Sequence, residues 1–294
     1  MSVTSYHMTT HGCQVLRLSN ITSGLLLSLF LVLGVLPVTR GGTGFTSTRP
    51  VPRDDYWQQR LAEINAELKD SKNTAGVRLV FLGDSITDLW HFGASPWLPS
   101  QKCGRAIWDE SFAGQPAENR ALNLGISGDR TEHLLSHLLP QASGGAGFLD
   151  APRLQPEFVI LMIGINNTWA GENPMADSVL AGIRAVITAV HERQPTATVI
   201  VQSLLPTNDA AKNRDVILPV NQHLVELVAS APYSAYTHYL DLYSAFVDTS
   251  GMQLGEHFND GVHPNESGYR RWRDHLVPCL GRLRAAKATT TPKG

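Results

Sequence analysis

Phe158-Val159-Ile160-Leu161-Met162-Ile163 is six consecutive apolar residues with no polar alternation, and it stops abruptly at Gly164-Ile165-Asn166-Asn167. A strand with one wet face alternates apolar and polar positions. A short run that is apolar throughout suits a central strand of a parallel sheet, covered on both faces by helices. That requirement constrains the rest of the chain, which must supply parallel partners and the crossover helices between them.

It does so in order. Val77 to Leu82 reads as a strand ending at Gly83, Ala121 to Leu124 as a second, Thr198 to Leu204 as a fourth and Thr237 to Leu242 as a fifth. Between and around them, apolar residues recur at helical spacing: Tyr56, Trp57, Leu61, Ile64 and Leu68; Leu134, Leu135 and Leu138; Val179, Ile183, Val186, Ile187 and Val190; Val220, Leu224, Leu227 and Val228; and a closing stretch from Tyr269 to Leu283. Strands alternating with helices predict right-handed crossovers and a three-layer α/β/α sandwich around a parallel five-stranded sheet. In such sheets ligands bind beyond the carboxyl ends of the strands. Three of these ends carry glycine-containing polar turns, Gly83-Asp84-Ser85, Gly125 to Asp129 and Gly164 to Asn167, which the topology places on one rim.

The ends of the chain differ in composition. Residues 1 to 20 are polar and irregular, and Ile21 to Val38 form an almost unbroken apolar run. This run is at the short limit for a membrane span and long for a signal-peptide core. Either reading sends the chain along the secretory route, secreted or held at a membrane through residues 21–38; a buried extension on a cytoplasmic protein is the alternative. Residues 39 to 53 have linker composition, residues 54–284 form the folded domain, and 285–294 are expected to be a disordered tail.

A formal net charge of -2, without a long run of like charge, gives no reason to expect a nucleic-acid partner. Cys103 and Cys279, the two cysteines of the expected domain, lack zinc-site spacing. They read as two core thiols, with one bridge as the alternative. His133 and His137 stand at i, i+4 on an expected helix. That spacing could serve a metal, but with no matching carboxylate or Cys pattern a solvated helix face is the expectation. Trp90, Trp97 and Trp169 flank the motif loops, where they could stack on a sugar, line an acyl pocket or simply pack.

Ser85 opens a strand-to-helix turn, where unpaired N–H groups favour negative charge. It could be a nucleophile, or Asp84 or Ser85 could merely cap the helix. Asp260-Gly261-Val262-His263-Pro264, just before the last helix, offers a base in His263 and, three residues earlier, a carboxylate able to fix its tautomer. Gly128, lacking a Cβ, lets its N–H approach a substrate closely, and Asn166 offers a side-chain amide. Ser85 N–H, Gly128 N–H and Asn166 together could hold a tetrahedral oxyanion.

The blocks Gly83-Asp84-Ser85-Ile86-Thr87, Asn123 to Asp129, Gly164 to Asn167 and Asp260 to Pro264 resemble the four signature blocks of the GDSL/SGNH hydrolases. Gly-Asp-Ser-Ile-Thr, Ser127-Gly128-Asp129-Arg130-Thr131-Glu132-His133 and the Asn-Asn pair are similar to the acetylesterase branch that includes the catalytic subunits of platelet-activating-factor acetylhydrolase. The resemblance spans about residues 55 to 284. It implies a flavodoxin-like sheet, no metal or organic cofactor, Ser85 as nucleophile, Gly128 and Asn166 in the oxyanion hole, and Asp260 and His263 as the remaining triad members.

The expected activity is serine-esterase hydrolysis of a short, acetyl-like oxygen ester carried by a small molecule, lipid or carbohydrate. A lysophospholipase or thioesterase acting on longer chains, and a non-catalytic binding subunit on the same fold, are the alternatives. Oligomeric state is not legible. Sequons at Asn20, Asn166 and Asn265 weigh against a lumenal destination, because a glycan on Asn166 would destroy the site.

Overall fold

The computed structural model describes residues 44–53, 55–97 and 99–290. The apolar run 21–38, the sequon at Asn20 and Cys13 lie outside the described residues. Among the described residues no helix is long and apolar enough to cross a membrane.

The strands are β1 (Leu79–Gly83), β2 (Ala121–Asn123), β3 (Phe158–Met162), β4 (Thr198–Gln202) and β5 (Thr237–Leu240). They form one parallel sheet in the order β2-β1-β3-β4-β5. Burial follows position. Every residue of β1 and β3 is buried, as two helical layers demand, whereas edge strand β5, Thr237-His238-Tyr239-Leu240, is mostly half-exposed.

The longer helices are α1 (Asp55–Lys69), with the short α2 (Ser71–Thr74) and α3 (Ser85–Asp88) after it, then α4 (Arg105–Ser111), α5 (Thr131–Leu138) and α6 (Met175–Arg193). The short α7 (Ala210–Lys212) precedes α8 (Leu218–Ala229) and α9 (Glu266–Thr290). Helix α4 packs on α9, while α6 packs on both α5 and α8. Right-handed crossovers that leave β1 and β3 in opposite directions put these two groups on opposite faces of the sheet. The direction of winding switches between β1 and β3, and a crevice beyond that point is where such sheets bind ligands.

One face carries a dense aromatic core. Trp90 and Trp272 are fully buried, with ring centroids 5.2 Å apart, and Tyr269 sits 4.5 Å from Trp90. The Tyr269 hydroxyl donates to the Ile86 carbonyl at 2.8 Å, so α9 is bonded directly to the turn that follows β1.

Three expectations are corrected. The stretch read as linker is docked from Gly44 onward. Ser47 is fully buried; its backbone carbonyl accepts from Thr131 Oγ1 and its own Oγ donates to the Ser178 carbonyl. Glu172 accepts the Thr46 N–H, and Arg53 bonds to Asp129. Low apolar content does not free a segment whose polar groups find buried partners. The tail does not start at 285, because α9 continues to Thr290. His137 is not on a solvated face: it is fully buried, stacked between Trp57 and Phe148 at centroid distances of 4.8 Å on each side. Cys103 and Cys279 are both buried free thiols.

Candidate active site

Gly83 ends β1 because nothing larger fits there. A Cβ at that position would lie 2.3 Å from the Met162 carbonyl of β3 and 2.2 Å from Thr87 Oγ1. The close approach lets the chain turn at once from strand into α3. Gly83→Ala is expected to lower stability by about 1–3 kcal/mol, the usual range for overpacking a dense core. A denaturation midpoint equal to wild type would contradict this reading.

In the following turn the capping role falls to Asp84, whose Oδ1 accepts the Ile86 N–H at 3.0 Å. Burial pushes its carboxyl up to about 7, against the opposing pull of the Ile86 N–H and His263. This lessens the standing negative charge beside Ser85. Ser85 Oγ is therefore left to another partner, His263 Nε2, at 2.8 Å. On the far side of the ring His263 Nδ1 lies 2.7 Å from Asp260 Oδ2.

The turn bearing the histidine is built by Asp260 itself. Its Oδ1 accepts the backbone N–H groups of Val262 at 3.0 Å and His263 at 2.8 Å. Partial burial alone would raise the Asp260 pKa, but the hydrogen bonds from the His263 ring, the two backbone N–H groups and the His263 charge outweigh it and bring the carboxyl down to about 2. Asn208 N–H and Gln253 Nε2 both donate to the Gly261 carbonyl, fixing the outer side of the turn. Asn265, which follows, donates its amide to the Glu256 carbonyl and accepts the Gly268 N–H, so it works as the cap of α9.

Three candidate donors stand on the turns that follow β1, β2 and β3. Among the described residues neither Ser85 N–H nor Gly128 N–H has a protein acceptor. Gly128 has φ +81°, a left-handed conformation that suits glycine and turns the chain out of β2. Asn166 Nδ2 gives one hydrogen to the Asp129 carbonyl at 2.8 Å, which orients the amide and leaves its second hydrogen free to donate.

Side chains that sequence reading passed over hold these turns in place. Asp88, fully buried, accepts Arg60 Nε at 3.0 Å and both Ser127 N–H and Oγ. Burial pushes its carboxyl up, opposed by the Arg60 charge. Asn123 donates to the Thr87 carbonyl and accepts the Gly125 N–H. Asn167 accepts the Thr131 N–H and donates to Glu132, tying the turn after β3 to the start of α5. The repeated Asn at 166 and 167 was the one visible signal of this division of labour. Trp90 belongs to the core, whereas Trp97, half-exposed, has its ring 5.5 Å from that of His263. Trp169 is also exposed, with Lys212 Nζ 3.5 Å from its centroid.

A serine hydroxyl, an imidazole and a carboxylate in hydrogen-bond contact, with candidate donors on the neighbouring turns of a sheet switch point, are the parts needed for acyl transfer. The model of the GDSL-like lipase/acylhydrolase family matches residues 81–271. Human platelet-activating factor acetylhydrolase IB subunit alpha1 is 30% identical over 225 residues, covering 76% of this chain and 82% of that protein. The rat alpha2 subunit is 29% identical over 219 residues, covering 74% and 80%. The crystal structure of a GDSL-like lipase from Bacteroides thetaiotaomicron superposes with a TM-score of 0.54 at 17% identity, covering 77% of this chain and 98% of that one.

Proposed function

The chain belongs to the GDSL-like lipase/acylhydrolase family and is an ester hydrolase; from that premise we propose that it is a serine esterase cleaving short, acetyl-like oxygen esters through an acyl-enzyme on Ser85. The observation that carries the reading is the continuous relay Ser85 Oγ, His263 Nε2, His263 Nδ1, Asp260 Oδ2, with links of 2.8 and 2.7 Å.

In the first half-reaction Ser85 Oγ attacks the acyl carbon while His263 Nε2 takes its proton. The carbonyl oxygen becomes an oxyanion facing Ser85 N–H, Gly128 N–H and the spare Asn166 hydrogen. Collapse breaks the acyl carbon–alkoxide bond, and the proton on His263 leaves with the alcohol. Water then attacks the acyl-enzyme, giving its proton to the same nitrogen, and the acid departs as Ser85 recovers its hydrogen. Asp260 keeps the proton on Nδ1, so that Nε2 is free to accept.

Preference for a short acyl group is supported by the relatives' names and by the lining beside Gly128. Pro52, Arg53, Arg130 and His133 offer little apolar surface to desolvate a long chain. Hydrolysis of acetyl, butyryl, octanoyl and palmitoyl esters of one phenol is expected to give kcat/KM falling along the series, with acetyl at least about tenfold above octanoyl, a difference within the reach of a few methylenes. A maximum at octanoyl or palmitoyl would instead favour a lysophospholipase or thioesterase. Failure of a fluorophosphonate to label Ser85 in the folded protein would favour a binding subunit.

A further inference from the structure

A pocket of about 500 Å³ opens beside Gly128 and is lined by Pro52, Arg53, Gly128, Arg130 and His133. Apart from Pro52, the side chains that line it carry hydrogen-bond donors. Arg53 spends only Nη1 on the protein, bonding the Ser127 carbonyl at 3.1 Å and Asp129 Oδ1 at 3.3 Å. Its guanidinium lies over the glycine, with Nη1 and Nη2 each 2.9 Å from where a Cβ on Gly128 would stand. Arg130 is about one-third exposed and sits no nearer than 3.8 Å to the Glu132 carboxylate.

His133 adds a third donor. Its Nδ1 accepts the Arg130 N–H at 3.0 Å, so the neutral ring carries its hydrogen on Nε2. Burial above all, with the Arg53 and Arg130 charges beside the ring, pushes this imidazole down to about 3. The two nearby carboxylates each pair with one of these arginines, Asp129 Oδ1 at 3.3 Å from Arg53 and Glu132 Oε1 at 3.8 Å from Arg130, but neither is part of the pocket lining. Asp129 is fully buried against His137, and Glu132, 4% exposed, is bonded to Asn167.

Resting on the esterase reading, we propose that this pocket binds an anionic group, a carboxylate or a phosphate, carried by the ester substrate, with Arg53 and Arg130 as specificity residues. Two guanidiniums that keep donors beyond those ion pairs, together with the His133 N–H and with no carboxylate in the lining, form a site for an oxyanion. Its position against Gly128 sets that anion within a few bonds of the scissile carbonyl. A role for Arg53 limited to neutralising buried Asp129 would leave Arg130 and His133 unused.

The test is a set of matched esters given to the full chain at low ionic strength. Methyl 3-acetoxybenzoate is the neutral reference, 3-acetoxybenzoate and 3-acetoxyphenyl phosphate carry the anion on the alcohol side, and mono-aryl succinate against aryl butyrate places a carboxylate on the acyl side. At least one anionic ester is expected to exceed its neutral partner in kcat/KM by at least about tenfold, the effect of one or two charge-assisted hydrogen bonds. The ratio of the two within one protein is the readout, and it should fall toward one in R53Q and in R130Q. Because Arg53 also pairs with Asp129, R130Q decides if R53Q does not fold.

Ratios near one for every anionic ester in the wild type, or a high ratio left intact in R130Q, would overturn the proposal while neutral-ester turnover kept the esterase reading alive. No turnover of any ester would sink the esterase reading first. In that case titration of phosphate and of succinate against the His133 ring resonance, in wild type and R130Q, still decides whether the pocket takes an anion.

Discussion

Ser85→Ala is expected to lower kcat on an aryl acetate by roughly 10⁴- to 10⁶-fold, the range found when a triad serine is deleted. The size follows from the geometry. Ser85 Oγ is held 2.8 Å from His263 Nε2, while the neighbouring carboxyl, Asp84, is occupied with capping Ile86. Removing the oxygen leaves the three donors in place, so a residual rate above the uncatalysed one survives. His263→Ala has a loss of the same order, and the double variant is little worse than either single, because the two groups act as a unit. Circular dichroism and the melting temperature should stay close to wild type, since the lost contact is one hydrogen bond, worth about 1 kcal/mol. A Ser85→Ala protein with more than a tenth of wild-type turnover would remove the nucleophile from the mechanism.

Asp260→Asn is the second large effect, expected at about 10⁴-fold in kcat with little change in fold. The structure dictates how the amide would sit. The carbonyl oxygen must take the place of Oδ1, because the N–H groups of Val262 and His263 point there. The NH₂ then faces His263 Nδ1, which is turned into an acceptor, so the ring hydrogen moves to Nε2 and can no longer receive the proton from Ser85. Charge loss and a wrong tautomer act together. The carboxylate itself is robust to acid: with its pKa at about 2, below an ordinary Asp near 3.9, its contribution to stability is complete above about pH 4 and is lost as pH falls through about 2. Loss of activity between pH 7 and 5 is thus not a titration of Asp260. Turnover by the Asn variant within tenfold of wild type would show that Asp260 is only a turn former.

Much of this architecture was legible because the central strands announce themselves by apolar runs and three of the strands lead into glycine turns, Gly83 packed against Met162 being the plainest case. The pairing of Ser85 with His263 was legible from their turns, although 178 residues separate them. What was not legible depends on partners distant in sequence. His137 lies in an eight-residue helix whose leucines mark its apolar side, and nothing local says that Trp57 and Phe148 arrive to sandwich the imidazole. Arg53 sits among residues with linker composition, and only the position of Gly128 and Asp129 gives it a role. Trp90 and Trp97, the same residue type seven positions apart, end at 0% and 49% exposure because one faces Trp272 and the other the mouth of the site.

The hydrogen bond from Tyr269 to the Ile86 carbonyl, with Trp272 packed on Trp90, has a consequence for how the protein acquires activity. All five strands are in hand by Leu240, yet the base and the helix that braces the nucleophile's turn come only afterwards. On the proposed mechanism, a chain still emerging from the ribosome, or clipped after Leu254, holds every strand of the sheet but lacks the base for Ser85. Turnover by that mechanism would report that synthesis and folding have reached the final helix, and an incomplete molecule would be silent instead of indiscriminately reactive toward the esters around it.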